Sequence, residues 1–599
     1  MNIKKLRQLS ATLATAACAC AAGGASFAPA LGVLVHPDSL ILWQGHASGV
    51  ACPAQPVCYT PAAIQQAYDF PKDLTGAGQT IVVLVPYGNP SVGDDLAQFD
   101  SAFGVAPPVS LTTVSGMPTG AEGSGATVYW GVETDASIEW AHALAPNASL
   151  VVAAAPTDDS SDLAATAAQV LPQYPGAIVV QSFGLDETTD GFAGDRAAMH
   201  AAYVAAAAAG DTIVAGAGDF GATDGGPVAV AQYPASDPLV TGVGGTEGSP
   251  YPDGLVGKDG RYGGEQVWNE GSTFDAATGG APSVLFTAPY QTALTGVAAR
   301  ETPDVSINAA IDGGVAIFDS DIGGFVTFGG TSAGSPMWGA IFSLANEARL
   351  RSGRVPLGPA NPALYAIAAN PGQYRNDFHD ITGGSNALDS PIGYNAGPGY
   401  DMASGLGTPD VARLVRDLAS STPPTQPRPA DTNCANQQLT GAYHDVHVKA
   451  GAWCDLSHAT VFGDVHAEHA SGLGVVDTFV GGDVHAESVS GAADTFQAHT
   501  NTLCGDSIRG DVHVQGSSPG APWSICTSSV GHDLHFEGNR APGSITGNTI
   551  GNNLICHGNV SVSGGGNTVG GRAQDQCAAL AAGGSGGGGP PAAHVRPGG

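Results

Sequence analysis

Basic side chains are scarce: Lys and Arg total 20 of 599 residues, against 53 Asp and Glu, for a formal charge of −33. So acidic a surface repels phosphate backbones and argues against nucleic acid as a partner. Few Lys and Arg also suit acidic surroundings. Long apolar runs are missing after Ala22, so the sequence predicts no transmembrane segment. Cysteines number 10, and Cys18 and Cys20 fall in the N-terminal run. The other eight are Cys52, Cys58, Cys434, Cys454, Cys504, Cys526, Cys556 and Cys577.

What is present begins with Lys4, Lys5 and Arg7, an Ala-rich apolar run, and small residues at Ala25-Ser-Phe-Ala28. This order predicts a secretory signal over 1–28 and a secreted, extracellular product. In an exported chain an even set of cysteines predicts disulfides. Cys52 and Cys58 form the expected local pair; connectivity among the last six is not legible.

From Tyr59 to Ala419, short apolar runs alternate with Ala-rich stretches. Thr80–Val85, Leu150–Ala155, Ala177–Val180 and Thr212–Ala215 read as strands, Asp162–Leu171 and Asp195–Ala209 as helices. Such alternation predicts an α/β fold with a doubly wound parallel sheet, covered on both faces. A Pro-rich linker is expected over 420–433. Beyond it Asp-Val-His and Asp-Leu-His motifs place histidines at 447, 466, 485, 513 and 535, steps of 19, 19, 28 and 22. A spacing near 20 with Gly turns predicts an all-β solenoid over 434–577. The Gly/Pro-rich tail, 578–599, reads as disordered.

The chemistry points to residues 328–336, Phe-Gly-Gly-Thr-Ser-Ala-Gly-Ser-Pro. An apolar stretch, glycines and then Ser332 suit a strand that turns sharply into a helix with a hydroxyl in its first turn. Pro336 is expected where an N–H has no helical partner. Subtilisin-like enzymes share Gly-Thr-Ser-x-x-x-Pro but carry a histidine in a His-Gly-Thr-His setting. His142, His200 and His379 have no such context here, so a base is sought among carboxylates. Glu133, on a helix expected to end before Pro146, and Asp219, after an apolar strand in a Gly-rich turn, are the candidates.

Tyr59-Thr-Pro, Tyr233-Pro-Ala-Ser-Asp-Pro, Gly242-Val-Gly-Gly-Thr, Arg300-Glu-Thr-Pro-Asp-Val-Ser and the Ser332 motif occur in this order. Together they make residues 59–415 resemble the sedolisins, serine-carboxyl peptidases of subtilisin-like fold. The resemblance implies a peptidase domain over 54–419 acting on polypeptides in acid. Ser332 is then the nucleophile, Glu133 the base, and Asp219 a protonated donor at the oxyanion. Where the family has an aspartate that orients the glutamate, this chain has Ser137. Residues i and i+4 share a helix face, so Ser137 is expected to reach Glu133. Asp135 lies about 200° round the helix and is a poor substitute; Glu139 is expected in an outer layer or in solvent.

Asp380-Ile-Thr and Ala396-Gly-Pro-Gly-Tyr-Asp401 resemble the family's calcium site. The match implies one structural Ca²⁺, held by the carboxylates of Asp380 and Asp401 and the carbonyls of Ile381, Gly397 and Gly399. Sedolisins usually carry a long prosegment, and the stretch between the signal and Tyr59 is too short for one. Eleven histidines fall between His444 and His557. A solvent-facing stack is the expected arrangement, a metal-binding ladder its alternative. Two other readings of the whole chain stand beside the acid endopeptidase. One is an impaired pseudopeptidase that binds peptides without cutting them. The other is a surface or adhesion protein acting through its solenoid.

Overall fold

The computed structural model describes residues 33–37, 40–42, 58–114, 125–248, 254–257, 259–421, 431–461, 463–476, 478–491 and 501–581. The expected signal, Cys52, most of the linker and most of the tail lie outside the described residues. The chain divides into two compact units between Thr425 and Gln426.

The first unit opens with β1 (Thr80–Pro86), α1 (Val92–Phe103), β2 (Leu111–Val114), α2 (Gly125–Leu144) and β3 (Ser149–Ala155). It continues through α3 (Ser160–Val170), β4 (Ile178–Gln181), β5 (Phe183–Asp186), α4 (Ala193–Ala208) and β6 (Thr212–Gly216). Then follow β7 (Val240–Glu247), β8 (Val305–Asn308), β9 (Gly314–Asp319), β10 (Gly324–Gly329) and α5 (Thr331–Arg351).

Strands β7-β6-β4-β1-β3-β2 run parallel in that order, with β8 joining β7. Central strands are buried on both faces, hence the unbroken runs Ile81–Val85 and Leu150–Ala155. α2 packs on α5 and α3 on α4, each pair against the sheet. This is the expected doubly wound arrangement, with ends shifted by a residue or two from the sequence reading. α3 starts where Asp159 accepts from Ser161 N at 2.9 Å. β9 and β10 form an antiparallel hairpin beside the main sheet.

α5 runs through the interior, buried along most of its length. Gly339 permits its close approach: a Cβ there would meet Val180 Cγ2 at 2.5 Å. The contact sets the helix against β4, next to the residues that follow that strand.

The second unit is built of parallel strands in two sheets. One stacks Val446–Val448, Val465–Glu468, Val484–Glu487, Val512–Gln515, Leu534–Glu537 and Leu554–His557 in register. Val465, Val484, Val512, Leu534 and Leu554 point inward and are buried, while the histidines between alternate residues point outward. Disulfides Cys434–Cys454, Cys504–Cys526 and Cys556–Cys577 join neighbouring coils. Cys58 is also disulfide-bonded; its expected partner, Cys52, lies outside the described residues. Among the described residues no helix is long and apolar enough to cross a membrane.

Candidate active site

The chain passes from β10 into α5 through Gly330, at φ +108°, a value that glycine adopts and side-chain-bearing residues rarely do. Thr331 and Ser332 open the helix, as expected, and Ser332 is wholly buried. Pro336 departs from expectation. It sits in the second turn, where an ordinary residue would donate its N–H to the carbonyl of Ser332. That carbonyl accepts instead from Ser182 Oγ at 3.3 Å. Ser332 Oγ in turn donates to the carbonyl of Ser182 at 3.3 Å.

Ser182, in the bend between β4 and β5, was not singled out by the sequence reading. Its hydroxyl lies 3.1 Å from Ser137 Oγ. With the Ser182 proton directed to Ser332 O, Ser137 is the donor of that contact. Ser137 is thus linked through one side chain to Ser332. Glu133 and Ser137, four residues apart on one face of α2, are both buried, and α2 packs against α5. On the opposite side of α2, Glu139 is wholly buried, not in solvent, and its Oε2 accepts from Phe318 N at 3.0 Å.

Asp219 follows β6 and reaches the head of α5. Its Oδ1 accepts from Thr331 N at 2.8 Å and Thr331 Oγ1 at 2.9 Å. Oδ2 is buried with no hydrogen-bond partner. Burial pushes the carboxyl up to about 7, against the two Thr331 bonds that lower it.

The three histidines set aside on sequence have other roles. His142 Nε2 is 2.8 Å from Ala106 O, His200 Nδ1 is 2.6 Å from Asp237 Oδ2, and His379 stacks on Tyr262 at 3.7 Å. Burial lowers His379 to about 4.

Beside the serine, β5 pairs antiparallel with two extended segments. Gln232–Tyr233 lies on one side. His36–Pro37 lies on the other, in register with Gly184 and Phe183.

At the loop expected to hold calcium, Asp380 Oδ1 accepts from Tyr374 Oη and Gly399 N, both at 3.0 Å. Asp401 Oδ2 accepts from Gly397 N at 2.9 Å, and its Oδ1 from Ala403 N and Ser404 N. Burial, then the charges of Asp380 and Asp401, raise the Tyr374 hydroxyl, so both acids face this ring. Two carboxylates close to one loop offer the anionic oxygen donors that a hard cation takes.

The chain is similar to kumamolisin from Bacillus sp. (strain MN-32): 36% identical over 393 residues, 62% of this chain and 66% of that protein. Sedolisin from Pseudomonas sp. (strain 101) is 29% identical over 382 residues, 61% of this chain and 62% of that one. Human tripeptidyl-peptidase 1 is 28% identical over 401 residues, 60% and 64% of the two chains. The chain thus spans just under two thirds of these curated relatives. Among solved structures, Pseudomonas sedolisin (serine-carboxyl proteinase), complexed with two molecules of pseudo-iodotyrostatin, matches with a TM-score of 0.54. Its identity is 27%, over 61% of this chain and 98% of that one. No family model matches the chain.

Proposed function

Because the chain belongs to the sedolisin family, we propose that it is a secreted serine-carboxyl endopeptidase that hydrolyses peptide bonds in acid. Ser332 Oγ attacks the scissile carbonyl while Glu133 takes its proton and passes it to the leaving amine. Water then hydrolyses the acyl-enzyme by the same route. Asp219 Oδ2–H donates to the oxyanion in both halves of the reaction.

The observation that carries this reading is Asp219: a buried acid at the helix head beside Ser332, with its second oxygen free to donate. Raised to about 7, it holds its proton in acid and loses it as pH rises through that value. An ionised Asp219 would repel the oxyanion.

Asp380 and Asp401, with the carbonyls of Ile381, Gly397 and Gly399, would hold the structural Ca²⁺. When bound it neutralises two carboxylates and braces the loop.

Ser137 favours a second reading, a peptide-binding pseudopeptidase. A hydroxyl whose proton is committed to Ser182 cannot share a proton with Glu133 as a second carboxyl can. Peptide hydrolysis followed from pH 3 to 8 separates the two. The peptidase reading expects turnover that falls above about pH 7 and a loss of about 10⁴-fold or more in Ser332→Ala. No turnover at any pH, restored by Ser137→Asp, would establish the pseudopeptidase.

A further inference from the structure

A second group of acids lies behind α2, on the side away from Glu133 and Ser137. Asp135 and Glu139 stand about 200–240° round the helix from Glu133. Asp95 from α1 and Asp319 from the end of β9 meet them there. Oxygens of Asp95, Asp135 and Asp319 all lie within 4.8 Å of one another, and all three residues are buried.

Glu139 supplies an independent pointer. It is wholly buried, and its Oε1 has no hydrogen-bond partner. Burial, and then the Asp135 charge, push its carboxyl well above the usual range, so it faces the cluster.

Each of the four acids is held by one oxygen. Asn89 Nδ2 donates to Asp135 Oδ2 at 2.8 Å, and Ile322 N to Asp319 Oδ1 at 3.0 Å. Phe318 N donates to Glu139 Oε2 and Ser320 Oγ to Asp95 Oδ2, each at 3.0 Å. The opposite oxygens Asp135 Oδ1, Asp319 Oδ2 and Glu139 Oε1 are buried without a partner. Carboxylates that ligate a metal are held in this manner, one oxygen fixed by an outer donor and one turned inward. The ion pairs of this unit, among the described residues, all lie elsewhere.

We propose that Asp95, Asp135 and Asp319, with Glu139 as a neighbouring acid, form a site for one divalent cation of the calcium type, separate from the loop at Asp380 and Asp401. Oxygens up to 4.8 Å apart can share an ion at about 2.4 Å, within the calcium range and beyond that of magnesium. All-oxygen, anionic donors select a hard cation. The ion ties α1, α2 and β9 together behind the helix that carries Glu133, and so holds that helix against α5.

The test counts ions on the full chain, stripped with chelator and dialysed against Ca²⁺ at pH 7. An Asp380→Asn variant should keep one tightly held Ca²⁺. Asp135→Asn and Asp319→Asn should each bind one fewer than wild type. No bound Ca²⁺ in Asp380→Asn overturns the site, as do equal counts in wild type, Asp135→Asn and Asp319→Asn; the four acids would then share protons instead. The Asp380→Asn arm alters no cluster residue, so it decides the matter should both cluster variants misfold. If the Asp380 loop holds no calcium, that variant binds as many ions as wild type, and the two sites are read separately. Ion counts do not depend on peptidase activity.

Discussion

Pro336 removes an N–H from the second turn of α5, and the Ser182 hydroxyl takes the carbonyl left over at Ser332. One side chain thereby joins the bend after β4, the helix headed by Ser332 and Ser137 on α2. Replacing Ser182 by Ala leaves a buried carbonyl without a donor, a cost of about 1–3 kcal/mol. The expected kinetic result is a kcat about tenfold lower with KM nearly unchanged, since positioning and not peptide binding is lost. Ser182→Thr, which keeps the hydroxyl, should recover most of it. A Ser182→Ala variant with wild-type kcat would remove Ser182 from the positioning chain. The Ser332 turn was legible because its signals are contiguous: apolar strand, glycines, hydroxyl. Ser182 was not, because its role depends on a carbonyl 150 positions away.

Among elements, the stacked coils of the second unit are held by buried amides. Asn548 Nδ2 donates to Ile525 O at 3.0 Å and to Asn567 Oδ1 at 2.9 Å, while its Oδ1 accepts from Ser528 N at 3.0 Å. Asn539 and Asn559 repeat the pattern in neighbouring coils. Asn548→Ala strands several buried groups at once, about 3 kcal/mol in total. Amide hydrogen exchange should then quicken about hundredfold across 523–550, with the first unit unaffected. Unchanged protection there would show that backbone pairing alone holds the coils. The histidines stack as the repeat led one to expect, His447 to His535, with ring centroids 4.7–5.4 Å apart and planes within 13°. Parallel rings direct their nitrogens alike, not toward one point. Burial, then the charges of His535 and His485, lower the central His513.

Over the whole molecule, burial raises several carboxyls: Asp211, Asp219, Glu247 and Asp377 each to about 7. A folded-state value above the unfolded one means that the native state binds protons more tightly. The resulting stability is complete below about pH 4 and is lost as pH rises through about 7. The chain's net charge of −33 at pH 7 adds self-repulsion in the same direction. Melting temperature should therefore fall from pH 4 to pH 8, by scanning calorimetry at fixed calcium. A rise over this interval would contradict the burial of these acids. Acid-stability and an acid-active Asp219 would then have one physical origin, the cost of ionising a carboxyl away from water.

Amino-acid order alone specified the alternation of strands and helices, the turn at Ser332, the repeat of the second unit and the family. These are local patterns or ordered motifs, readable without knowing what lies next to what. Only the tertiary structure decided that Ser137 turns to Ser182, that Pro336 frees a carbonyl for a distant hydroxyl, and that Asp95, Asp135 and Asp319 meet. Those partners come from different elements, and a hydrogen bond or a converging charge exists only once the sheet has brought them together.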